Sequence, residues 1–272
     1  KATIIGDRTY SNKYGDNVGV YGIFGAAGAG KDTYARWLQG ENDERDVVHH
    51  RISFTDPLKI IVCTLLDVPL ESYEEVKRSD KAFRLSRSMV EVARIRTALY
   101  DNLHDLCGDD AERIANDVGV ALISFLDMPL IGTLRHILEQ VGTECVRNKL
   151  GDRYWINIAV DRINNIADEA AYNQDKYYII QIPDMRFMNE ALIADFVILI
   201  RRHDSPFLDK EVVYRDHRST WIGHAINVAR HKDGGDELLI DNFHEFGDFG
   251  LVCVLESKRE GDDVQFYYVA GY

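Results

Sequence analysis

The segment between Val18 and Gly40 limits the fold of this chain more than any other part of the sequence. Val18–Phe24 (VGVYGIF) is a short apolar run, typical of a strand that is buried on both faces of a sheet. Three glycines in the next six residues, Gly25–Gly30, interrupt regular structure. Lys31–Gln39 then carries helix-forming residues, and Gly40 is a stop signal. The segment therefore predicts a strand, a tight bend and a helix.

The bend has the spacing of a phosphate-binding loop. Gly25–Gly30 followed by Lys31 fits the pattern G-x-x-x-x-G-K, although Asp32 stands where Ser or Thr is usual and Thr33 follows it. Glycines let successive backbone N–H groups point at phosphate oxygens, and the helix directs its positive end at the same anion. The residues predicted to bind a nucleoside triphosphate are Gly28, Ala29, Gly30, Lys31, Asp32 and Thr33. The alternative is a strand-to-helix turn that binds no ligand.

Further apolar runs alternate with helical patterns along the chain. The predicted strands of a parallel sheet are Val18–Phe24, Val47–Phe54, Tyr177–Ile182, Phe196–Arg201 and Glu237–Asp241. Phe249–Ser257 and Asp263–Ala270 predict a terminal β-hairpin. The expected fold is α/β: a P-loop NTPase fold with a five-stranded parallel sheet flanked by helices, a helical insertion and a C-terminal hairpin.

About 120 residues separate the second and third predicted strands, and most of them have helical periodicity. This stretch is too long for a simple crossover. We therefore expect one domain over residues 1–272, with residues 60–156 forming a mostly helical insertion that binds an acceptor or closes as a lid.

Composition narrows the class of partner. The formal net charge of −13 argues against broad binding to a nucleic acid polymer or an anionic membrane. The sequence has no apolar run of membrane-spanning length and no recognisable leader, so a soluble, cytoplasmic protein is expected. The four cysteines are scattered and predict neither a disulfide framework nor a zinc site.

A predicted helix at Leu134–Asn148 carries polar residues at a spacing of four. These residues are Arg135, Glu139, Thr143 and Arg147, and Gly142 adjoins them. A row of cation, carboxylate, hydroxyl and cation beside a glycine can receive a polar ligand close to the backbone. The equal alternative is an exposed helix face held by ion pairs.

The predicted strand Tyr177–Ile182 runs into a charged segment that contains Asp184, Arg186 and Glu190. Phosphate-loop proteins commonly hold Mg²⁺ with a carboxylate at such a strand end, and ligands of parallel sheets lie at this edge. The alternative is a turn with surface charges. We assign Thr33 and Asp184 to magnesium, and Asp32 to magnesium-bound water or to acceptor-side contacts.

Four blocks in this order resemble the phage-type deoxynucleoside monophosphate kinases. They are GKDT at Gly30–Thr33, SFTDPLK at Ser53–Lys59, the segment Leu134–Ile156 with its tryptophan, and DMRFMNEA at Asp184–Ala191. The resemblance covers roughly residues 18–60 and 130–200 and fades elsewhere.

The resemblance implies that Arg135, Glu139, Gly142, Thr143, Trp155, Asp184, Arg186 and Glu190 hold an acceptor nucleotide. Trp155 could stack on the base, and a buried core tryptophan is the even alternative. The implied activity is transfer of the ATP γ-phosphoryl group to a (deoxy)nucleoside 5′-monophosphate with Mg²⁺, in host cytoplasm if the protein is phage-encoded.

In this scheme Lys31 holds donor phosphates, and Arg186 with Arg135 or Arg147 holds the acceptor phosphate. The catalytic residues are then Lys31, Asp184 and Arg186. A kinase for another small acceptor and an inactive nucleotide-binding scaffold remain alternatives, and a homodimer is left open.

Overall fold

A computed structural model describes residues 4–5, 8–9, 12–26, 29–41, 46–202, 251–260 and 263–271. The chain divides into two compact units. The first consists of Lys1–Ser53 together with Ala167–Tyr272, and the second is Phe54–Ile166. The predicted insertion at residues 60–156 falls within the second unit.

The elements follow in chain order. They are β1 (Ile4–Ile5), β2 (Arg8–Thr9), β3 (Val18–Gly25), α1 (Lys31–Glu41), β4 (Val47–Arg51), α2 (Asp56–Leu65), α3 (Tyr73–Arg78), β5 (Ala82–Leu85), α4 (Val92–Asn102), α5 (Gly108–Phe125), β6 (Leu130–Thr133), α6 (Leu134–Glu139), α7 (Asn148–Leu150), α8 (Tyr154–Tyr172), β7 (Tyr177–Ile182), α9 (Met188–Ala191), β8 (Phe196–Arg202), β9 (Leu251–Glu260) and β10 (Asp263–Gly271). Short 3₁₀ turns lie at Leu70–Ser72 and Arg87–Met89, and a π-helix at Gln140–Arg147 joins α6 to α7.

In the part of the first unit that the structure describes, a mixed sheet has six strands in the order β4-β7-β3-β8-β9-β10. The first five strands are parallel, and β10 is antiparallel to β9. The predicted strands at β3, β4, β7 and β8 are confirmed, although β4 ends at Arg51, before the predicted end at Phe54. The α/β class is likewise confirmed.

The C-terminal hairpin is confirmed, but it belongs to the sheet. Within the described residues the sheet has six strands and not the expected five, because β9 pairs with β8 over its apolar run and β10 adds a sixth strand. The predicted strand at Glu237–Asp241 lies outside the described residues.

Helix α1 packs on one face of this sheet. Its buried Tyr34 and Ala35 contact a cluster that includes Ile23 of β3, Ile198 of β8 and Leu255 of β9. The helix continues one residue past the predicted stop at Gly40. This packing places the start of α1 beside the end of β3.

The second unit is mostly helical and contains one antiparallel ribbon of β5 and β6. The predicted helix at Leu134–Asn148 is present as α6 and the π-helix that follows it. No helix in the described ranges has both the length and the apolar character needed to span a membrane.

Candidate functional site

The glycine-rich bend and the charged segment share one edge of the sheet. Strand β3 ends at Gly25 and its parallel neighbour β7 ends at Ile182. Because the carboxyl ends of parallel strands lie at the same edge, the segments that follow them are neighbours. The candidate site of the first unit lies at this edge.

Two glycines of the bend are required by local geometry. A Cβ atom on Gly25 would lie 2.6 Å from the carbonyl oxygen of Ile200 in β8. Gly30 has a φ of +96°, in the region that favours glycine. The N–H of Ala29 donates to the Ala26 carbonyl over 3.1 Å, which closes a turn before α1. Gly28, a predicted phosphate contact, lies outside the described residues.

The Lys31 ammonium lies against the bend. Its Nζ atom donates to the carbonyl oxygens of Gly25 at 2.7 Å and Ala26 at 3.0 Å. Burial lowers its pKa from the ordinary 10.5 to about 8, and repulsion by Arg186 acts in the same direction. Asp32 and Asp184 oppose the shift. Lys31 therefore lies within electrostatic range of both Asp184 and Arg186.

Asp184 accepts a hydrogen bond from Ser53, a residue outside the predicted site. The hydroxyl of Ser53, which is buried, donates to Oδ2 of Asp184 over 2.5 Å. Ser53 follows β4, the strand next to β7, so the available signal was a hydroxyl at a neighbouring strand end. Arg186 has an exposed side chain.

Glu190 has a different position from the one expected of a ligand-binding carboxylate. It is 1% exposed, and its Oε2 atom accepts hydrogen bonds from the backbone N–H groups of Arg186 at 2.5 Å and Phe187 at 3.0 Å. Met185 packs against Gly22 of β3, where an added Cβ would lie 2.4 Å from the methionine sulfur. Glu190 therefore supports the turn that carries Asp184 and Arg186, in place of the predicted direct contact with an acceptor.

The first turn of α1 contains Asp32 and Thr33. Asp32 is exposed and forms an ion pair with Arg51 of β4, Oδ1 to Nη2, over 2.5 Å. Thr33 is partly buried. No sequence motif indicates Arg51 as a partner of Asp32, because the pairing depends on the position of β4 in the sheet.

The other predicted acceptor residues belong to the second unit. Arg135 and Glu139 are exposed on α6, and Thr143 and Arg147 are partly buried in the π-helix. π-helical turns are rare and often occur at functional sites. The four polar side chains lie along one continuous helical segment, which is α-helical at Arg135 and Glu139 and π-helical at Thr143 and Arg147.

Gly142 and Trp155 are enclosed in the second unit. A Cβ on Gly142 would lie 2.5 Å from a methyl carbon of Leu58, so this glycine lets the π-helix approach α2. Trp155 is 4% exposed, and its indole N–H donates to the Gly142 carbonyl over 3.2 Å. This geometry favours the buried-core alternative for Trp155. It gives Gly142 a packing contact where a ligand contact was expected.

The predicted cation ligands in the first unit are the Asp184 carboxylate and the Thr33 hydroxyl. Among the residues that the structure describes, no group of three or more His, Cys, Asp or Glu side chains could hold a metal ion. A carboxylate at Asp184 and a hydroxyl at Thr33 suit Mg²⁺, which usually keeps several waters and takes few protein ligands.

Comparison of the chain with protein-family models, curated proteins and solved structures gave no match.

Proposed function

We propose that this protein transfers the γ-phosphoryl group of ATP to a (deoxy)nucleoside 5′-monophosphate, giving the diphosphate. The observation that carries the proposal is the position of the Lys31 ammonium, which lies 2.7 Å from the Gly25 carbonyl oxygen of the glycine-rich bend and close enough to Asp184 and Arg186 to interact with their charges. These residues are far apart in the sequence and belong to two different predicted motifs. A lysine, a carboxylate and an arginine at a phosphate loop are the groups that phosphoryl transfer needs.

The sheet order supports the P-loop NTPase fold within the α/β class. Strand β3 lies between β7 and β8, and the chain leaves it through α1 to reach β4 on one side, while β8 and β9 lie on the other. The bend after β3 is therefore at a topological switch point, where open parallel sheets bind their ligands.

The donor phosphates would be held by backbone N–H groups of the bend and by Lys31. The Lys31 ammonium donates to two carbonyls of the bend, and phosphate oxygens would replace these acceptors. Partial desolvation strengthens this attraction, because charges interact more strongly away from bulk water.

Arg186 would hold the acceptor phosphate and share the charge that develops on the transferring phosphoryl group. Its exposed guanidinium can form two parallel hydrogen bonds to phosphate oxygens. The Glu190 carboxylate accepts a hydrogen bond from the backbone N–H of Arg186 and so holds this residue in position. Asp184 and Thr33 would hold Mg²⁺, which supplies charge neutralisation between the phosphates when it is bound.

The second unit would recognise the acceptor through Arg135, Glu139, Thr143 and Arg147. Their spacing along α6 and the π-helix offers two cations, one carboxylate and one hydroxyl. A phosphate and a polar base or sugar match these groups.

A coupled assay with ATP, Mg²⁺ and each deoxynucleoside and ribonucleoside monophosphate tests the proposal. We expect diphosphate formation with at least one acceptor, and absence of turnover with all of them would reject it. Lys31→Ala should abolish turnover without unfolding the protein. The matched control is Lys176→Ala, because Lys176 is exposed before β7, away from the bend, and its loss should leave the rate unchanged.

The same assay separates the alternatives. ATP binding without transfer to any acceptor would favour a nucleotide-binding scaffold. Transfer to a small phosphorylated or hydroxylated compound, with none to a nucleotide, would favour a kinase of another acceptor.

A further inference from the structure

Ser257 of the C-terminal hairpin contacts the glycine-rich bend. The residue lies on β9 and is 0% exposed. Its hydroxyl donates to the carbonyl oxygen of Ala29 over 2.7 Å, and the Arg201 carbonyl oxygen lies 3.3 Å from the same hydroxyl. The shorter contact joins residues that are 228 positions apart in the sequence. A buried hydroxyl with this geometry fixes the direction of the Ala29 carbonyl.

The direction of that carbonyl determines the direction of the next N–H. The Ala29 carbonyl and the Gly30 N–H belong to one planar trans peptide group, so they point in opposite directions. Because Ser257 holds the carbonyl toward β9, the Gly30 N–H points away from β9. Gly30 has a φ of +96°, and a glycine at this position can rotate its preceding peptide at little steric cost. The bend therefore needs an external contact to select one orientation of this peptide.

The hairpin contacts α1 as well as the bend. Phe266 of β10 packs edge-on against Tyr34 in the first turn of α1, with ring centroids 5.0 Å apart. Next to Ser257, the paired residues Arg201 of β8 and Glu256 of β9 form an ion pair, with Nη2 of Arg201 3.9 Å from Oε2 of Glu256. The hairpin thus fixes the two structural parts that would present N–H groups to an anion.

We infer that Ser257 is a positioning residue for the donor phosphates, acting through the Ala29–Gly30 peptide. This inference rests on the proposed function, since it assumes that the bend binds ATP. It assigns a role in the donor site to the C-terminal hairpin. Loss of the hydroxyl would let the peptide rotate and would remove one N–H from the phosphate-binding set.

The test is ATP binding and steady-state kinetics of Ser257→Ala. We expect the Kd and the KM for ATP to rise by about tenfold, as for loss of one well-directed hydrogen bond to a charged ligand. The KM for the nucleoside monophosphate should stay unchanged. Ser257→Cys, which keeps a weak donor of similar shape, should fall between Ser257→Ala and the wild type.

Tyr14→Phe is the matched control. It removes a hydroxyl that donates to the Ile193 carbonyl over 3.1 Å in the same unit, away from the bend. A general loss of stability would raise the KM for ATP and the KM for the acceptor alike, in Ser257→Ala and in Tyr14→Phe. That result would overturn the inference.

The failures of the two proposals are distinguishable. If the wild type binds ATP and Ser257→Ala binds it equally well, Ser257 has no positioning role and the proposed function stands. If the wild type does not bind ATP, both proposals are rejected. If Ser257→Ala does not fold, Ser257→Cys decides the question, because wild-type ATP affinity in that variant would contradict the inference.

Discussion

The Ser53 hydroxyl donates a hydrogen bond to Oδ2 of Asp184 over 2.5 Å, and this contact joins the ends of two adjacent parallel strands. A carboxylate with one oxygen held in this way has fewer orientations to sample. If Asp184 holds Mg²⁺, the hydroxyl lowers the entropy cost of placing the carboxylate for the cation.

Ser53→Ala tests this role in cation binding. We expect the Mg²⁺ concentration for half-maximal activity to rise by about tenfold, because supporting hydrogen bonds to metal ligands typically have effects of this size. The kcat at saturating Mg²⁺ should fall little. Ser79→Ala is the control, since its hydroxyl donates to the Val76 carbonyl in the second unit. A Mg²⁺ dependence of Ser53→Ala equal to that of the wild type would contradict the role.

The affinity for ATP should decrease with rising pH. The pKa of Lys31 is lowered to about 8, chiefly by burial, so the ammonium loses its proton above about pH 8 in the free protein. The terminal phosphate has its second pKa near 6 and keeps its charge in this range. The dissociation constant should therefore increase above about pH 8, by up to about tenfold per pH unit.

Lys31→Arg is the control for this pH dependence. A guanidinium remains protonated at any pH used, so ATP binding to the variant should be nearly independent of pH, whatever its absolute affinity. Calorimetric titration between about pH 7 and about pH 9 measures both proteins. A wild type with as little pH dependence as Lys31→Arg would show that the lysine does not bind the phosphates as an ammonium.

Removal of the Glu190 carboxylate should loosen the turn at Asp184–Phe187. The Arg186 and Phe187 N–H groups would lose their shared acceptor, a carboxylate of a residue that is 1% exposed. We expect Glu190→Ala to lower the free energy of unfolding by about 1–3 kcal/mol and to speed hydrogen exchange at these two amides.

Glu190→Gln separates support of the turn from contact with a ligand. The glutamine retains a carbonyl oxygen and should restore part of the exchange protection and part of the activity. Glu71→Gln at an exposed position is the control. If Glu190→Gln protects both amides fully and still loses acceptor binding, Glu190 contacts the acceptor directly, as the sequence first suggested.

The strands and the bend were predictable from sequence because their signals are local. Short apolar runs and a glycine cluster before a helix depend only on neighbouring residues. Strand β7 begins and ends where its apolar run does. The place of β9 was not predictable, because a hairpin strand can pair on either side and the pairing with β8 is a contact between distant parts of the chain.

The roles of some side chains were predictable from local motifs, and the roles of others depended on contacts that the sequence does not show. Lys31 and Asp184 have chemistry that a motif identifies, and they are coupled in the structure. Trp155 and Glu190 also stood in motif-like segments, but burial and hydrogen bonds to the backbone occupy them. Periodicity places a residue on a helix face and does not specify what packs against it, so these contacts required the structure.

The last prediction concerns the close approach of the bend to β8. In Gly25→Ala the new Cβ would lie 2.6 Å from the Ile200 carbonyl oxygen, and a backbone atom cannot move aside as a flexible side chain can. We expect a loss of about 1–3 kcal/mol in the free energy of unfolding, with weaker ATP binding because the bend must shift.

Gly40→Ala, in the same strand–bend–helix segment, is expected to stabilise the protein, whereas Gly25→Ala is expected to destabilise it. Among the described residues, no atom other than the local helix backbone lies within 4 Å of a Cβ at Gly40, which is a residue of α1. Alanine favours the helix over glycine, so the variant should be stabilised by about 0.5 kcal/mol and should bind ATP normally. Urea unfolding of both variants measures the difference. Equal stabilities for Gly25→Ala and Gly40→Ala would mean that the bend does not lie against Ile200 in solution, and the geometry assigned to the phosphate loop would then be wrong.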